Sequence, residues 1–270
     1  MFDLSRQLEE YSDKFIAVAF RDLETDADYF VNADEPLHPA STIKVHVMME
    51  VFRQANEGLL SLDERLPILN SFTSIADGSP FSLDVNDDTE QSLYGRLGET
   101  ESIHELARLM IVRSGNLATN ILLAKVGAEN VNDFIRALGI QVVNVLRGVE
   151  DNAAYRRGLN NSATARGLTE TMDLIARKKV VSQQASEQMI GLLLGQEFNE
   201  SIPALLPNFV KVAHKTGWTG EVYHDTGIVF PEDRKPYVLT LMTRGFKEDQ
   251  ENEAHACMAR ISRTIFEGLP

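Results

Sequence analysis

Strand-like runs sit at the two ends of this chain and helix-like runs fill the middle, an order that few folds accept. Near the N-terminus, Phe15-Ile16-Ala17-Val18-Ala19-Phe20 is a short unbroken apolar run, the pattern of a buried strand. A polar turn over residues 21–28 leads to a return strand opening at Tyr29-Phe30-Val31. Near the C-terminus, residues 210–216, 226–230 and 237–242 read as three more strands. One antiparallel sheet assembled from both chain ends, flanked by terminal helices and carrying an inserted all-helical lobe, satisfies that order. The expected class is therefore α+β, a single domain over 1–270. Its sheet lobe is drawn from about 1–35 and 200–270, and its helical lobe from about 36–199.

The helices are marked by period and punctuation. Leu4, Leu8 and Tyr11 give a helical spacing over 3–14. After Pro36 and Pro39 a helix starts near Ser41, with Val47, Met48, Val51, Phe52 and Ala55 as its apolar stripe and Gly58 as its C-terminal stop. Residues 68–100 lack periodicity and read as a long loop. Its acidic middle, Asp84, Asp87, Asp88 and Glu90, reads as a solvated face. Ser102 and Glu105 form a capping-box pattern before a helix carrying Leu106, Leu109 and Met110. Helices follow over 117–125, closed by Gly127, and over 131–138, closed by Gly139. A loop over 147–163 precedes helices at 164–177 and 182–194, and a last helix spans 253–266.

Composition narrows the function. With 43% hydrophobic and 24% charged residues, the chain can bury a substantial core. A net charge of −14 and no basic stripe argue against a nucleic-acid partner. No run of about 18 apolar residues offers a membrane span. The N-terminus lacks the basic start and apolar core of a signal peptide, so a cytoplasmic location is expected unless an export signal has been removed. The single cysteine, Cys257, excludes an internal disulfide and reads as a buried thiol. No metal-ligand array and no phosphate loop are present, so no metal and no cofactor are expected. Oligomeric state is not legible.

Three short motifs carry the chemistry. Ser41-Thr42-Ile43-Lys44 puts a hydroxyl and an amine three residues apart, on one face of a helix start. A serine hydroxyl is a weak nucleophile until a base takes its proton, and an amine whose pKa is lowered by burial can do so. Ser114-Gly115-Asn116 offers a hydroxyl that could relay a proton and an amide that could hold both substrate and Lys44. Lys215-Thr216-Gly217 ends a strand-like run. It offers a cation and a hydroxyl for a carboxylate, and a glycine that lets substrate approach. Taken singly, each motif also fits a plain helix cap or turn.

Together, in this order, the motifs resemble the signature set of class A β-lactamases and penicillin-binding proteins. The likeness extends over Asn32-Ala33-Asp34-Glu35-Pro36, over 109–120 and over Gly227-Ile228-Val229. It implies that Ser41 is acylated, Lys44 assists proton removal and Ser114 passes a proton to the leaving nitrogen. It further implies that Asn116 orients substrate, that Lys215 and Thr216 bind its carboxylate, and that the N–H groups of Ser41 and Trp218 form the oxyanion hole, with Gly217 beside them. The implied function is a serine β-lactamase-like hydrolase acting on a small molecule, opening a β-lactam amide and releasing product by hydrolysis. Two alternatives stay open: a D,D-peptidase or esterase-like hydrolase with weak β-lactam turnover, and a β-lactam-binding sensor that stays acylated. The chain departs from the family pattern at Gly115, where aspartate is usual, and at Trp218, where a small residue is commoner. It departs too on the loop that should carry Glu-x-x-Leu-Asn. There Glu150 is the candidate deacylation base, one place off the expected spacing from Arg147. Otherwise Glu150 is a loop carboxylate paired with Arg147 or another cation.

Overall fold

The computed structural model describes residues 2–269. In chain order the elements are α1 (Ser5–Glu10), β1 (Phe15–Asp22), β2 (Asp28–Val31), α2 (Lys44–Asn56), β3 (Arg65–Pro67), β4 (Phe72–Thr73), β5 (Pro80–Phe81), β6 (Thr100–Ser102), α3 (Ile103–Val112), α4 (Asn116–Val126), α5 (Ala128–Ala137), β7 (Val143–Asn144), α6 (Asn152–Arg156), β8 (Ser162–Ala163), α7 (Ala165–Ala176), α8 (Gln183–Leu194), β9 (Lys211–Thr219), β10 (Val222–Phe230), β11 (Tyr237–Arg244) and α9 (Glu251–Glu267). Five strands form one antiparallel sheet in the order β2-β1-β11-β10-β9, so the two chain ends do meet in a single sheet.

The side-chain alternation of β1 splits the core in two. Ala17 and Ala19 face the helices, packed with Met48, Val51, Leu106, Met110, Leu122 and Met172. Ile16, Val18 and Phe20 face the other way, against Leu4 and against Met258, Ile261 and Ile265 of α9. The small side chains of β1 let α7 lie directly on the sheet, where it contacts β1, β10 and β11. Side-chain caps start the helices as the sequence chemistry requires: the oxygens of Ser102, Asp151, Thr164 and Ser182 accept amides of the first turns of α3, α6, α7 and α8. The Ser102 box is half made, because the Glu105 carboxylate turns to Arg108 at 2.7 Å instead of reaching back.

Several expectations are corrected. Helix α1 is shorter than the spacing suggests. The 68–100 stretch holds the β4–β5 hairpin and pairs at its margins through β3 and β6, so it is folded rather than loose. Its acidic middle is a solvated face at Asp84 and Asp87 only. Asp88 is 3% exposed and Glu90 1%. Glu90 accepts the Ser92 amide at 2.7 Å and Arg113 at 2.8 Å. The 147–163 loop contains α6 and β8. Lys215-Thr216-Gly217 lies inside β9 and not at its end. The turn comes later, at Gly220 and Glu221, because β10 pairs with β9 from Val222 onward.

Buried neutral imidazoles make acid a specific threat to this fold. His46 on α2 meets Thr171 Oγ1 at 2.9 Å through Nε2, and burial lowers its pKa to about 4. Its Nδ1 has no partner among the described residues. His224 on β10 is likewise held down to about 4, by burial first. A base whose folded pKa lies below its unfolded value lets the unfolded chain take protons first, so stability falls as pH drops through that window. The urea midpoint should decline between about pH 6.5 and 4.5, with a shallower decline in His46→Leu. A midpoint flat over that range contradicts the assignment.

Candidate active site

The nucleophile candidate sits on a 3-10 turn, Ala40–Ile43, that runs directly into α2. A 3-10 turn has three residues per turn, so side chains at i and i+3 eclipse. That local geometry, not an α-helical face, brings Ser41 and Lys44 to one side. The chain enters the turn through Ala40 at φ 48°, a left-handed conformation that a non-glycine residue rarely adopts. Thr42 secures the turn, its hydroxyl donating to Pro39 O at 2.6 Å.

Lys44 is fully buried. Its Nζ donates to Ser114 O at 2.6 Å and to Asn116 Oδ1 at 2.8 Å, with Ser114 Oγ farther off at 3.4 Å. Asn116 is oriented by its own Nδ2, which donates to Asp87 O at 3.3 Å. Ser114 stands at φ 54° between α3 and α4. Its carbonyl faces Lys44, while its hydroxyl accepts from Lys215 Nζ at 3.0 Å. Lys215 is fully buried and also donates to Thr216 O at 2.8 Å. Burial lowers the pKa of Lys44 to about 7, against the raising pull of Asp88 and Glu150. Lys215 is also lowered, by burial first and then by the charge of Lys44.

Lys44, Ser114 and Asn116 line a cleft of about 820 Å³ together with Ser41, Glu150 and Trp218, whereas Lys215, Thr216 and Gly217 lie behind its lining. Ser41 is half-buried. Among the described residues no hydrogen bond joins its hydroxyl to an amine: the short bonds of Lys44 go to Ser114 and Asn116. Thr216 is buried in β9, its Oγ1 without a partner among the described residues. Strand β9 is the sheet edge, and Gly217 meets the nucleophile turn there. A Cβ at Gly217 would lie 2.7 Å from Ser41 N, 2.8 Å from Thr42 N and 3.1 Å from Pro39 O. The Trp218 ring leans on Phe198, edge to face at 5.2 Å.

Residues that sequence reasoning missed now stand out. Asp88 accepts the amides of Asn116 at 2.9 Å and Leu117 at 2.8 Å, holding the start of α4, and accepts the Tyr94 hydroxyl at 3.0 Å. Gly115 is explained by crowding: a Cβ there would lie 3.0 Å from Glu90 Cβ, in space an aspartate needs. Asn120 grips the backbone of Val149 twice, accepting from its N at 2.7 Å and donating to its O at 2.9 Å. Glu150 follows at φ 60°. Its Oε2 accepts the Asp84 amide at 2.9 Å, and its Oε1 is buried without a partner among the described residues. Burial, opposed by that amide, raises its pKa, with the charges of Asp87, Asp88 and Asp84 adding to the rise. The suggested pairing with Arg147 is absent, because that guanidinium bonds Asn160 and Gly148 O. No signal in a single sequence marks Asp88 or Asn120, since both act through backbone groups of distant segments.

A family model described as the β-lactamase enzyme family matches residues 3–269. β-Lactamase BRO-1 of Moraxella catarrhalis is 24% identical over 232 residues, 84% of this chain and 71% of that protein. The carbapenem-hydrolysing β-lactamase KPC of Klebsiella oxytoca is 28% identical over 174 residues, 62% of this chain and 59% of its own length. An ancestral class A β-lactamase superposes with a TM-score of 0.85 at 23% identity, over 99% of both chains. PBP-A superposes with a TM-score of 0.81 at 24% identity, over 99% of this chain and 97% of its own. A point mutant of PBP-A is known as its acyl-enzyme complex with penicillin G. At these identities the solved structures establish the fold.

Two substitutions test the packing of the site. Gly217→Ala drives a methyl into backbone atoms that cannot rotate away, and should cost about 1–3 kcal/mol in urea unfolding. Asp88→Ala strips two helix-start amides and a hydroxyl of their acceptor, at a cost on the order of 3 kcal/mol. Wild-type stability in either variant contradicts the geometry.

Proposed function

The chain belongs to the β-lactamase enzyme family, and from that premise we propose that it opens a β-lactam amide by acylation at Ser41 and releases the product by hydrolysis. The observation that carries this reading is the buried Lys44 amine, with a pKa near 7 and two short bonds to fixed acceptors. A neutral amine has two N–H groups and one lone pair. Ser114 O and Asn116 Oδ1 engage the two N–H groups, which leaves the lone pair free for the Ser41 proton. As Oγ attacks the carbonyl carbon, the N–H groups of Ser41 and Trp218 hold the developing oxyanion. The amide C–N bond then breaks. The leaving nitrogen takes the Ser114 hydroxyl proton, and Lys44, which holds the proton taken from Ser41, returns it to Ser114 Oγ and becomes neutral again. Lys215 and the Thr216 hydroxyl, which has no partner among the described residues, receive the substrate carboxylate.

A second reading is favoured by the Asn120–Val149 clamp. At the spacing from Arg147 where the family carries its deacylating glutamate stands the apolar Val149, and the neighbouring Glu150 is engaged by the Asp84 amide. If Glu150 does not activate water, the acyl-enzyme persists and the protein behaves as a β-lactam-binding protein.

Mass measurement with benzylpenicillin separates the readings. Turnover predicts a transient adduct and steady hydrolysis of a chromogenic cephalosporin. Glu150→Gln should then trap the adduct, slowing its release by about 10²-fold or more. A persistent one-to-one adduct in the wild type supports the second reading. Ser41→Ala should abolish the adduct in both, and an adduct surviving that change defeats the proposal. The acylation rate should fall as pH drops through about 7, because only neutral Lys44 accepts the proton. A rate constant unchanged from about pH 5.5 to 8.5 contradicts the role of Lys44.

A further inference from the structure

Two histidines outside the three motifs converge on the nucleophile turn. His38, three residues before Ser41, accepts the Ala40 amide on Nδ1 at 3.1 Å. That bond spans Pro39 and ends on Ala40, the left-handed residue at which the chain bends into the turn. The carbonyl of His38 in turn meets His224 Nε2 at 2.9 Å. His224 is buried on β10. Its Nδ1 lies 3.1 Å from the Thr243 amide of β11 and 2.8 Å from Tyr223 O, and its Nε2 faces the His38 carbonyl; the Nε2 hydrogen satisfies that carbonyl and leaves Nδ1 as the acceptor of the Thr243 amide, with Tyr223 O beside it. A path of three hydrogen bonds therefore runs from the sheet backbone at Thr243, through His224 and His38, to the amide next to Ser41. Gly217 of β9 supports the same turn from the sheet edge.

We infer that His38 and His224 are positioning residues that set where Ser41, its hydroxyl and its amide, sits relative to β9. The inference rests on the proposed acylation of Ser41. An oxyanion hole works only when its donors lie where charge develops, and a displacement of about 1 Å can cost about 10²-fold in rate. The strained turn has no glycine to relax it, so these external bonds hold it. His38 also lines the cleft.

The test uses paired substitutions. His38→Asn keeps an acceptor for the Ala40 amide, and His224→Gln keeps a donor for the His38 carbonyl. His38→Leu and His224→Leu remove them. Acylation by benzylpenicillin should slow by about 10²-fold in the leucine variants and recover to within about threefold in the conservative ones. Affinity for a phenylboronic acid, which mimics the tetrahedral intermediate, should fall in step with the rate. The apparent Kd for benzylpenicillin before acylation should stay within about threefold of the wild type. A His38→Leu variant that acylates at the wild-type rate overturns the inference. So does a rate loss that the conservative variants share, or one explained wholly by weaker initial binding. A wild type inert to benzylpenicillin defeats the parent reading of substrate. Labelling by a fluorophosphonate, which modifies an activated serine whatever its substrate, then reads the same four variants. Slower labelling in the leucine pair alone supports the inference, equal labelling overturns it, and an unlabelled wild type overturns both.

Discussion

The site depends on an amine kept out of water. Lys44 is buried at the junction of a 3-10 turn and α2, and removing its hydration is what brings its pKa down to about 7. Burial of an amine alone would simply cost stability. Here the cost is offset by Ser114 O and Asn116 Oδ1, which satisfy the two N–H groups of the neutral amine, while the third N–H of the ammonium finds only Ser114 Oγ at 3.4 Å. Two neighbours, Asp88 and Ser114, maintain that pairing. Asp88 anchors the start of α4, which carries Asn116. Ser114 adopts its left-handed conformation so that carbonyl and hydroxyl reach two different lysines.

The sheet is the reference frame for this arrangement. Strand β9 stands at its edge, where Gly217 backs against the turn that carries Ser41 and Lys215 reaches the Ser114 hydroxyl. Glycine is required at residue 217 because two backbones touch there, not because of any special dihedral angle. The helices supply Lys44 and Ser114 from α2 and the α3–α4 junction. Chemistry therefore lies where helices and sheet edge face each other, which fits a fold built from both chain ends around an inserted helical segment.

Much of this was legible in the sequence, for identifiable reasons. Unbroken apolar runs such as 15–20 and 237–242 announce buried strands, and capping side chains at Ser102 and Ser182 announce helix starts. The motif spacing pointed to Ser41, Lys44, Ser114 and Lys215, and the last three share one hydrogen-bonded cluster. What escaped was long-range pairing. Asp88 and Glu90 read as a wet loop because nothing local tells an acidic residue that it will cap a helix 28 residues on or meet Arg113. The extent of β9 was cut short because Gly217 resembles a turn residue when its neighbours in space are unknown. Glu150, the candidate deacylation base, lines the cleft, but its engagement with the Asp84 amide depends on how the 68–100 segment folds.

The most direct test of the central claim is to titrate Lys44 itself, following its side-chain carbon next to the amine by NMR with isotopically labelled lysine and assigning it with Lys44→Arg. The account predicts a midpoint near 7. A midpoint near the ordinary lysine value of about 10.4 would mean that the amine stays charged at neutral pH and cannot be the base.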